Sequence, residues 1–303
     1  MSVQFLEIDD LDPARVERIV ANALAWKAEP SAVPQVLAGH GAALVFEKPS
    51  ARTRSSSEMG VVTLGGHPIY IRDEEVQMDR RESVEDVART LAGYCRLIAA
   101  RTFEHATLER MAAAVEVPVI NLLSDVAHPC QALADVITLR EHFGSVEGRR
   151  VAYIGDGNNV AASLAFVCAF TGMEFVVASP DGYELGEDVI ERVRNLGGSV
   201  DQLIDPFDAV RDADALYTDV WTSMGQEEES AIRKVAFEGY CIDEDLVAGA
   251  PEHAVVLHCL PAHRGEEVSA AVLEGERALV WAQAQHRMDA FRALVVELLE
   301  PGT

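Results

Sequence analysis

Lysine is nearly missing from this chain of 303 residues. Only Lys27, Lys48 and Lys234 are present, and the other 22 basic residues are arginines. Fifty acids stand against those 25 bases, a formal charge of -25 at pH 7. A chain so poor in positive charge offers no broad basic face, which argues against nucleic acid and anionic lipid as partners. No apolar run approaches the roughly 18 residues of a membrane span. Residues 1–7 show no basic segment leading into an apolar stretch, so no signal peptide is read there. The expectation is a soluble, cytoplasmic protein. Five cysteines are scattered at Cys95, Cys130, Cys168, Cys241 and Cys259, and no two form a CxxC pair. That spacing suggests neither a zinc site nor a disulfide framework. The high negative charge repels itself unless counterions screen it, and at ~1 M salt the Debye length falls to about 3 Å. Together with the scarcity of lysine, the charge reads as adaptation to high salt.

Hydrophobic residues make up 49% of the chain, and 303 residues suffice for two packed cores. Short apolar runs bounded by Gly, Pro or Asp lie at 42–46, 68–71, 95–99 and 117–121. Further runs follow at 151–155, 175–178, 215–218, 255–259 and 279–281. Runs of this length suit strands buried on both faces. Helical stretches separate them, at 83–93, 107–115, 132–143 and 187–196 for example. Alternating strand and helix predicts an α/β fold with parallel sheets covered by helices. Two domains are expected, each a parallel sheet flanked by helices, at 1–135 and 136–285. Residues 286–303, apolar at helical spacing, predict a closing C-terminal helix that packs back on the first domain.

The chemistry gathers at the predicted strand ends, where open α/β sheets bind ligands. Ser50-Ala51-Arg52-Thr53-Arg54 follows the first run and precedes a helical stretch at 56–64. A strand-to-helix turn aims backbone N–H groups and a positive dipole end at one point, and hydroxyls and guanidiniums add donors for a phosphate. Standing alone, the stretch reads equally well as a solvated loop with a helix cap. His128-Pro129-Cys130-Gln131 places an imidazole and an amide at a helix start, with Pro129 suited to the first helical turn. Arg101 ends a third run on the same side. Asp219-Val220-Trp221-Thr222-Ser223-Met224-Gly225 offers a carboxylate and a hydroxyl to a ligand bearing an ammonium group. His258-Cys259-Leu260-Pro261 closes another run, where the cysteine reads as nucleophile, hydrogen-bonding group or core. Gly155-Asp156-Gly157 begins like a dinucleotide turn, but Val160 stands where the third glycine belongs.

In order and spacing these motifs resemble the ornithine carbamoyltransferases, over nearly the whole chain from Phe46-Glu47-Lys48 to Gln285-His286-Arg287. The resemblance implies transfer of the carbamoyl group of carbamoyl phosphate to the δ-amine of L-ornithine. L-citrulline and phosphate are the products, in either arginine synthesis or arginine breakdown. It implies no metal, no organic cofactor, and a homotrimer or a multiple of trimers. By that likeness Ser50, Ala51, Arg52 and Thr53 hold the phosphate, and Arg101, His128 and Gln131 bind the carbamoyl and phosphate oxygens. Gln77 reaches into a neighbouring subunit's site. Asn159, Asp219, Ser223 and Met224 hold the amino-acid end of ornithine. Cys259 and Leu260 contact carbamoyl phosphate where the substrates meet, and Arg287 completes its site. Arg101, His128 and Cys259 are the residues implied in catalysis.

Two departures stand out. Ala51 replaces the family's usual threonine, so any hydroxyl contact there is lost while a backbone contact survives. Thr102-Phe103 alters the usual surroundings of Arg101. Three rivals remain open on sequence. The first is a carbamoyltransferase for another amine such as putrescine, which lacks the α-amino acid head that Asp219 and Ser223 suit. The second is a nicotinamide-dependent oxidoreductase, suggested only by the broken glycine pattern. The third is a non-catalytic member of the same fold, opposed by the full set of charged motif residues. Aspartate as acceptor is disfavoured, because Asp219 would repel a second carboxylate.

Overall fold

The computed structural model describes residues 4–223, 225, 227–300 and 302. The chain divides into two compact units, residues 1–137 with 285–303, and residues 138–284. Among the described residues nine strands form two all-parallel sheets.

The first sheet contains β1 (Gly41–Phe46), β2 (His67–Arg72), β3 (Cys95–Arg101) and β4 (Val119–Leu123), in the order β2-β1-β3-β4. β1, β3 and β4 are buried nearly throughout, as both-face coverage by helices requires. β2 is an edge strand, and there Pro68 costs no central ladder bond. The helix Val84–Ala92 buries Val84, Val87 and Ala88, one stripe at helical spacing, and Ser83 caps it by accepting from Asp86 N. The helix Pro13–Ala28 starts at the Asp12 cap and Pro13.

The second sheet contains β5 (Arg150–Ile154), β6 (Glu174–Ala178), β7 (Val200–Leu203), β8 (Ala215–Thr218) and β9 (Val255–His258), in the order β7-β6-β5-β8-β9. Its core joins Ala152, Ile154, Val176, Leu216 and Val256 to Phe237, Tyr240, Leu246 and Leu273. The helix Asn159–Thr171 is almost wholly apolar and buried, capped by Asn158 and closed by Gly172 in a left-handed conformation.

The structure corrects the sequence reading in three places. The run at 279–281 is not a strand: Ala278 makes a single bridge to Val256, and a helix starts at Val280 and runs to Leu299. Leu279 precedes that helix and Val280 and Trp281 open it, and periodicity over three residues cannot separate the two states. The helix after β1 starts at Ala51 rather than residue 56, because Ser50 supplies the cap. β7 was not expected, since its sequence Val200-Asp201-Gln202-Leu203 is half polar. It is the sheet's edge strand, which tolerates that.

In both sheets the strand order reverses once, between β1 and β3 in the first and between β5 and β8 in the second. These are topological switch points, where crossovers leave on opposite sides and open a crevice beyond the carboxyl ends. Each unit presents its motifs at its own switch point.

Candidate active site

In the first unit, the N-cap residue Ser50 accepts from Thr53 N at 3.2 Å and donates its hydroxyl to Thr53 Oγ1 at 3.0 Å. Capping one amide leaves other first-turn N–H groups, those of Ala51 and Arg52, facing outward with the positive helix end. Thr53 Oγ1 also accepts from Arg287 Nη2 at 3.0 Å. The other arm of Arg287 donates to Gln131 Oε1 at 2.6 Å, and Gln131 Nε2 donates to Asp135 Oδ1 at 2.7 Å. One buried chain of hydrogen bonds therefore links the turn after β1, the helix after β4 and the C-terminal helix. Gln131 and His128 enter from the start of the helix Pro129–Phe143, where the turn 124–127 is held by Asn121 and Ser124.

Arg101 is the last residue of β3 and only 8% exposed. Burial and the guanidiniums of Arg287, Arg101 and Arg52 hold His128 well below the usual imidazole pKa. Burial and Arg101 also lower Lys48, whose ammonium lies 4.5 Å from the Phe103 ring centre. A desolvated pocket that disfavours a further positive charge is one that favours an anion. His128 enters it as a neutral N–H donor. Cys130, beside it in sequence, is inert: burial pushes its thiol up to about 12. Arg54 is committed elsewhere, paired with Glu58 and stacked 3.7 Å over Tyr70. On sequence its guanidinium is expected among the anion-site donors. Gln77 lies on the loop after the short helix Asp73–Val76, in a left-handed conformation.

The second unit builds its site around a carboxylate. Asp219 follows β8, is 8% exposed, and accepts from Cys259 Sγ at 2.9 Å and from Asn158 Nδ2 at 3.4 Å. Asn158 caps the next helix through Oδ1, which accepts from Val160 N and Ala161 N. Asn159, the residue expected from sequence, is the first helical residue, and its carbonyl accepts from Ser163 Oγ. Ser223 is half-buried on the loop after Asp219, and Met224 lies outside the described residues. Cys259 follows β9, and Leu260 sits beside it with φ +59° and a cis bond to Pro261. Leu260 N donates to His258 Nδ1 at 2.8 Å, which leaves His258 Nε2–H to donate to Glu267 Oε1 at 3.1 Å.

Two buried features went unread in the sequence. One is the pair of His258 with Glu267. The other is Arg233, whose Nη1 reaches both Asp156 Oδ2 at 2.7 Å and Trp221 O at 3.0 Å. Burial raises the pKa of Asp156, and the Arg233 hydrogen bond opposes that rise. A Cβ at Gly157 would fall 2.3 Å from Leu185 N, so this glycine makes room for the chain itself. That removes the one feature suggesting a dinucleotide.

Comparison with known proteins also finds two halves, although the second match takes in the C-terminal helix that packs with the first unit. Residues 4–141 match the carbamoyl-P binding domain of aspartate/ornithine carbamoyltransferases, and residues 147–298 match the Asp/Orn binding domain. The chain belongs to the aspartate/ornithine carbamoyltransferase family. It is 46% identical over 304 residues to an ornithine carbamoyltransferase of Methanoculleus marisnigri, covering 100% of this chain and 98% of the relative. It is 44% identical to one of Haloquadratum walsbyi, covering 98% of each. The solved ornithine carbamoyltransferase of Pyrococcus furiosus superposes with a TM-score of 0.92 at 41% identity, covering 98% of this chain and 97% of that one. Within the carbamoyltransferase frame, Ser50, Arg52, Thr53, Arg101, His128 and Gln131 fall in the carbamoyl-P binding domain. Asn159, Asp219, Cys259 and Leu260 fall in the Asp/Orn binding domain.

Proposed function

We infer that this chain is an ornithine carbamoyltransferase, which makes L-citrulline and phosphate from carbamoyl phosphate and L-ornithine. The observation that carries the reading is the opposite charge of the two sites. Arg52, Arg101 and Arg287 surround a neutral His128 in one, and a buried Asp219 with Cys259 forms the other. The first suits a phosphate dianion, and the second suits an ammonium group.

The reaction is attack by the neutral δ-amine on the carbamoyl carbon. The new C–N bond forms, the C–O bond to phosphate breaks, and the phosphate takes the electron pair and the amine's proton. Guanidinium forks and first-turn N–H groups stabilise the leaving phosphate. His128 and Arg101 donate to the carbonyl oxygen as charge builds on it. The rest of the acceleration comes from holding two substrates in register. Asp219, with Asn159, Ser223 and Met224, holds the α-amino acid head, and Cys259 and Leu260 face the carbamoyl group. Ala51 serves through its backbone N–H, which its side chain does not affect. The reading includes a homotrimer or a multiple of trimers with Gln77 reaching a neighbour's site, no cofactor or metal, and work in a salty cytoplasm. No helix among the described residues is long and apolar enough to cross a membrane.

The test is citrulline formation from carbamoyl phosphate with ornithine, putrescine or aspartate offered in parallel, at low and molar KCl. Product from ornithine alone, rising with salt, supports both the reaction and the salt adaptation. Product from putrescine instead moves the acceptor assignment. No carbamoylated amine from folded protein removes the enzyme reading.

A further inference from the structure

We propose that Arg110 is a positioning residue: its guanidinium locks the loop that carries Gln77 and so presents that side chain to the carbamoyl phosphate site. The proposal deepens the reading above and rests on it for Gln77's role.

The loop runs from Gln77 to Glu82, between the helices Asp73–Val76 and Val84–Ala92. Two of its residues, Gln77 and Asp79, take positive φ values of 49° and 60°. That region is disfavoured for residues with a side chain, and it persists where surrounding contacts over-determine it. Backbone bonds supply part of the restraint: Asp79 N donates to Glu82 O, and both Arg80 N and Arg81 N donate to Gln77 O. Val84 N also donates to Asp79 Oδ1 at 3.4 Å, and Arg110 adds a further tie from the helix His105–Ala114. Its Nη1 and Nη2 donate to the two carboxylate oxygens of Asp79 at 2.5 and 3.0 Å. Its Nε and Nη2 donate to the two oxygens of Glu85 at 2.7 and 2.8 Å. One guanidinium thus grips two carboxylates, each in a two-pronged geometry. The grip ties Asp79, two residues from Gln77, to the first turn of the next helix.

A single exposed ion pair contributes little, but a two-pronged network differs in kind. Hydrogen bonds from Arg110 hold both Asp79 and Glu85 below the usual carboxylate range. The contacts are no longer than the roughly 3 Å Debye length of molar salt, so screening weakens them without abolishing them, and the hydrogen-bond geometry remains. Met78, between Gln77 and Asp79, anchors the loop in the first unit's core, and Arg110 fixes the exposed residues around it.

The experiment compares full-length native protein, R110Q, D79N and the double variant in molar KCl. Amide exchange over residues 77–82, thermal unfolding and steady-state kinetics are read on each. Exchange at Asp79, Arg80 and Arg81 is expected to quicken by about tenfold in either single variant. The KM for carbamoyl phosphate is expected to rise by about fivefold while the KM for ornithine stays put. The double variant should be no worse than either single one, because the pair acts as a unit. R110K, which keeps the charge but not the fork, should fall between. Native-like exchange in folded R110Q overturns the proposal. So does a lowered Tm with the KM for carbamoyl phosphate unchanged, or additive effects in the double variant. Exchange needs no substrate, so it decides the clamp even if native protein makes no citrulline; that result would sink carbamoyl transfer instead.

Discussion

The two units solve the same architectural problem with opposite charge. Both place their functional residues at the switch point of a parallel sheet, beyond the carboxyl ends of the strands. In the first unit the turn after β1 begins a helix whose outward N–H groups join Arg52, Arg101 and Arg287. In the second the corresponding helix start is filled by its own cap, since Asn158 Oδ1 takes Val160 N and Ala161 N. That unit then turns a carboxylate, Asp219, toward the crevice. The fold supplies the position, and the residues at the strand ends choose the sign of the ligand.

The largest expected effect comes from removing the negative member. D219N keeps the shape and drops the charge, and kcat/KM for ornithine is expected to fall by about 1,000-fold, roughly 4 kcal/mol at 1.36 kcal/mol per tenfold. Calorimetric titration with carbamoyl phosphate should show native affinity. A matching loss of carbamoyl phosphate binding would break the division of labour between the units.

Next comes R287M, which removes the bonds to Thr53 and Gln131 together. A weakening of carbamoyl phosphate binding by about 100-fold is expected, in line with losing a charged hydrogen-bonding group at a desolvated site. Equal affinity in the variant would show that the guanidinium braces the site without meeting the anion.

R233M is expected to raise the KM for ornithine by about tenfold and to leave carbamoyl phosphate untouched. Arg233 joins Asp156, Glu229 and the carbonyl of Trp221, so it sets the loop beyond Asp219. Steady-state kinetics with each substrate varied separates the two constants. A rise in both would mean a general loss of packing.

The smallest effect sharpens the electrostatic half of the comparison. His128 has its pKa lowered in the folded state by burial and by three arginines. The unfolded chain binds the proton first, so the contribution of this residue to stability is present above the unfolded imidazole value, near 6.5. It is lost as pH falls below that value toward the folded one. Urea unfolding between pH 7.5 and about 5 should therefore show a shallower loss of stability in H128Q than in the native protein. A parallel slope in the two would mean that the imidazole is protonated in the fold.

Much of this was legible because it depends on local signals. Apolar runs of four to six residues marked eight of the nine described strands, and a capping serine or a proline marked several helix starts. β7 escaped because an edge strand needs only one buried face, and Asp201 and Gln202 hid its pattern. The run at 279–281 misled for the complementary reason, since three apolar residues fit either state. At the sites, motifs at strand ends were readable as ligand groups, but their partners were not. Asn158 was hidden behind Asn159, since only a cap geometry tells adjacent asparagines apart. Arg110, Arg233 and Glu267 carry no motif, and nothing in the sequence separates a clamping arginine from a solvated one.

The amino-acid sequence by itself determined the net charge, the alternation of strand and helix, the order of the ligand-bearing turns and, through that order, the family. Those properties are local or additive, so they survive projection onto one dimension. The tertiary structure alone decided which groups meet and how dry they are. Thr53 and Arg287 lie 234 residues apart in the chain and 3.0 Å apart in the fold. His128 is neutral because it is buried and because three arginines from separate segments lie near it. Coulomb interactions and desolvation depend on distance through space, and chain separation does not encode it.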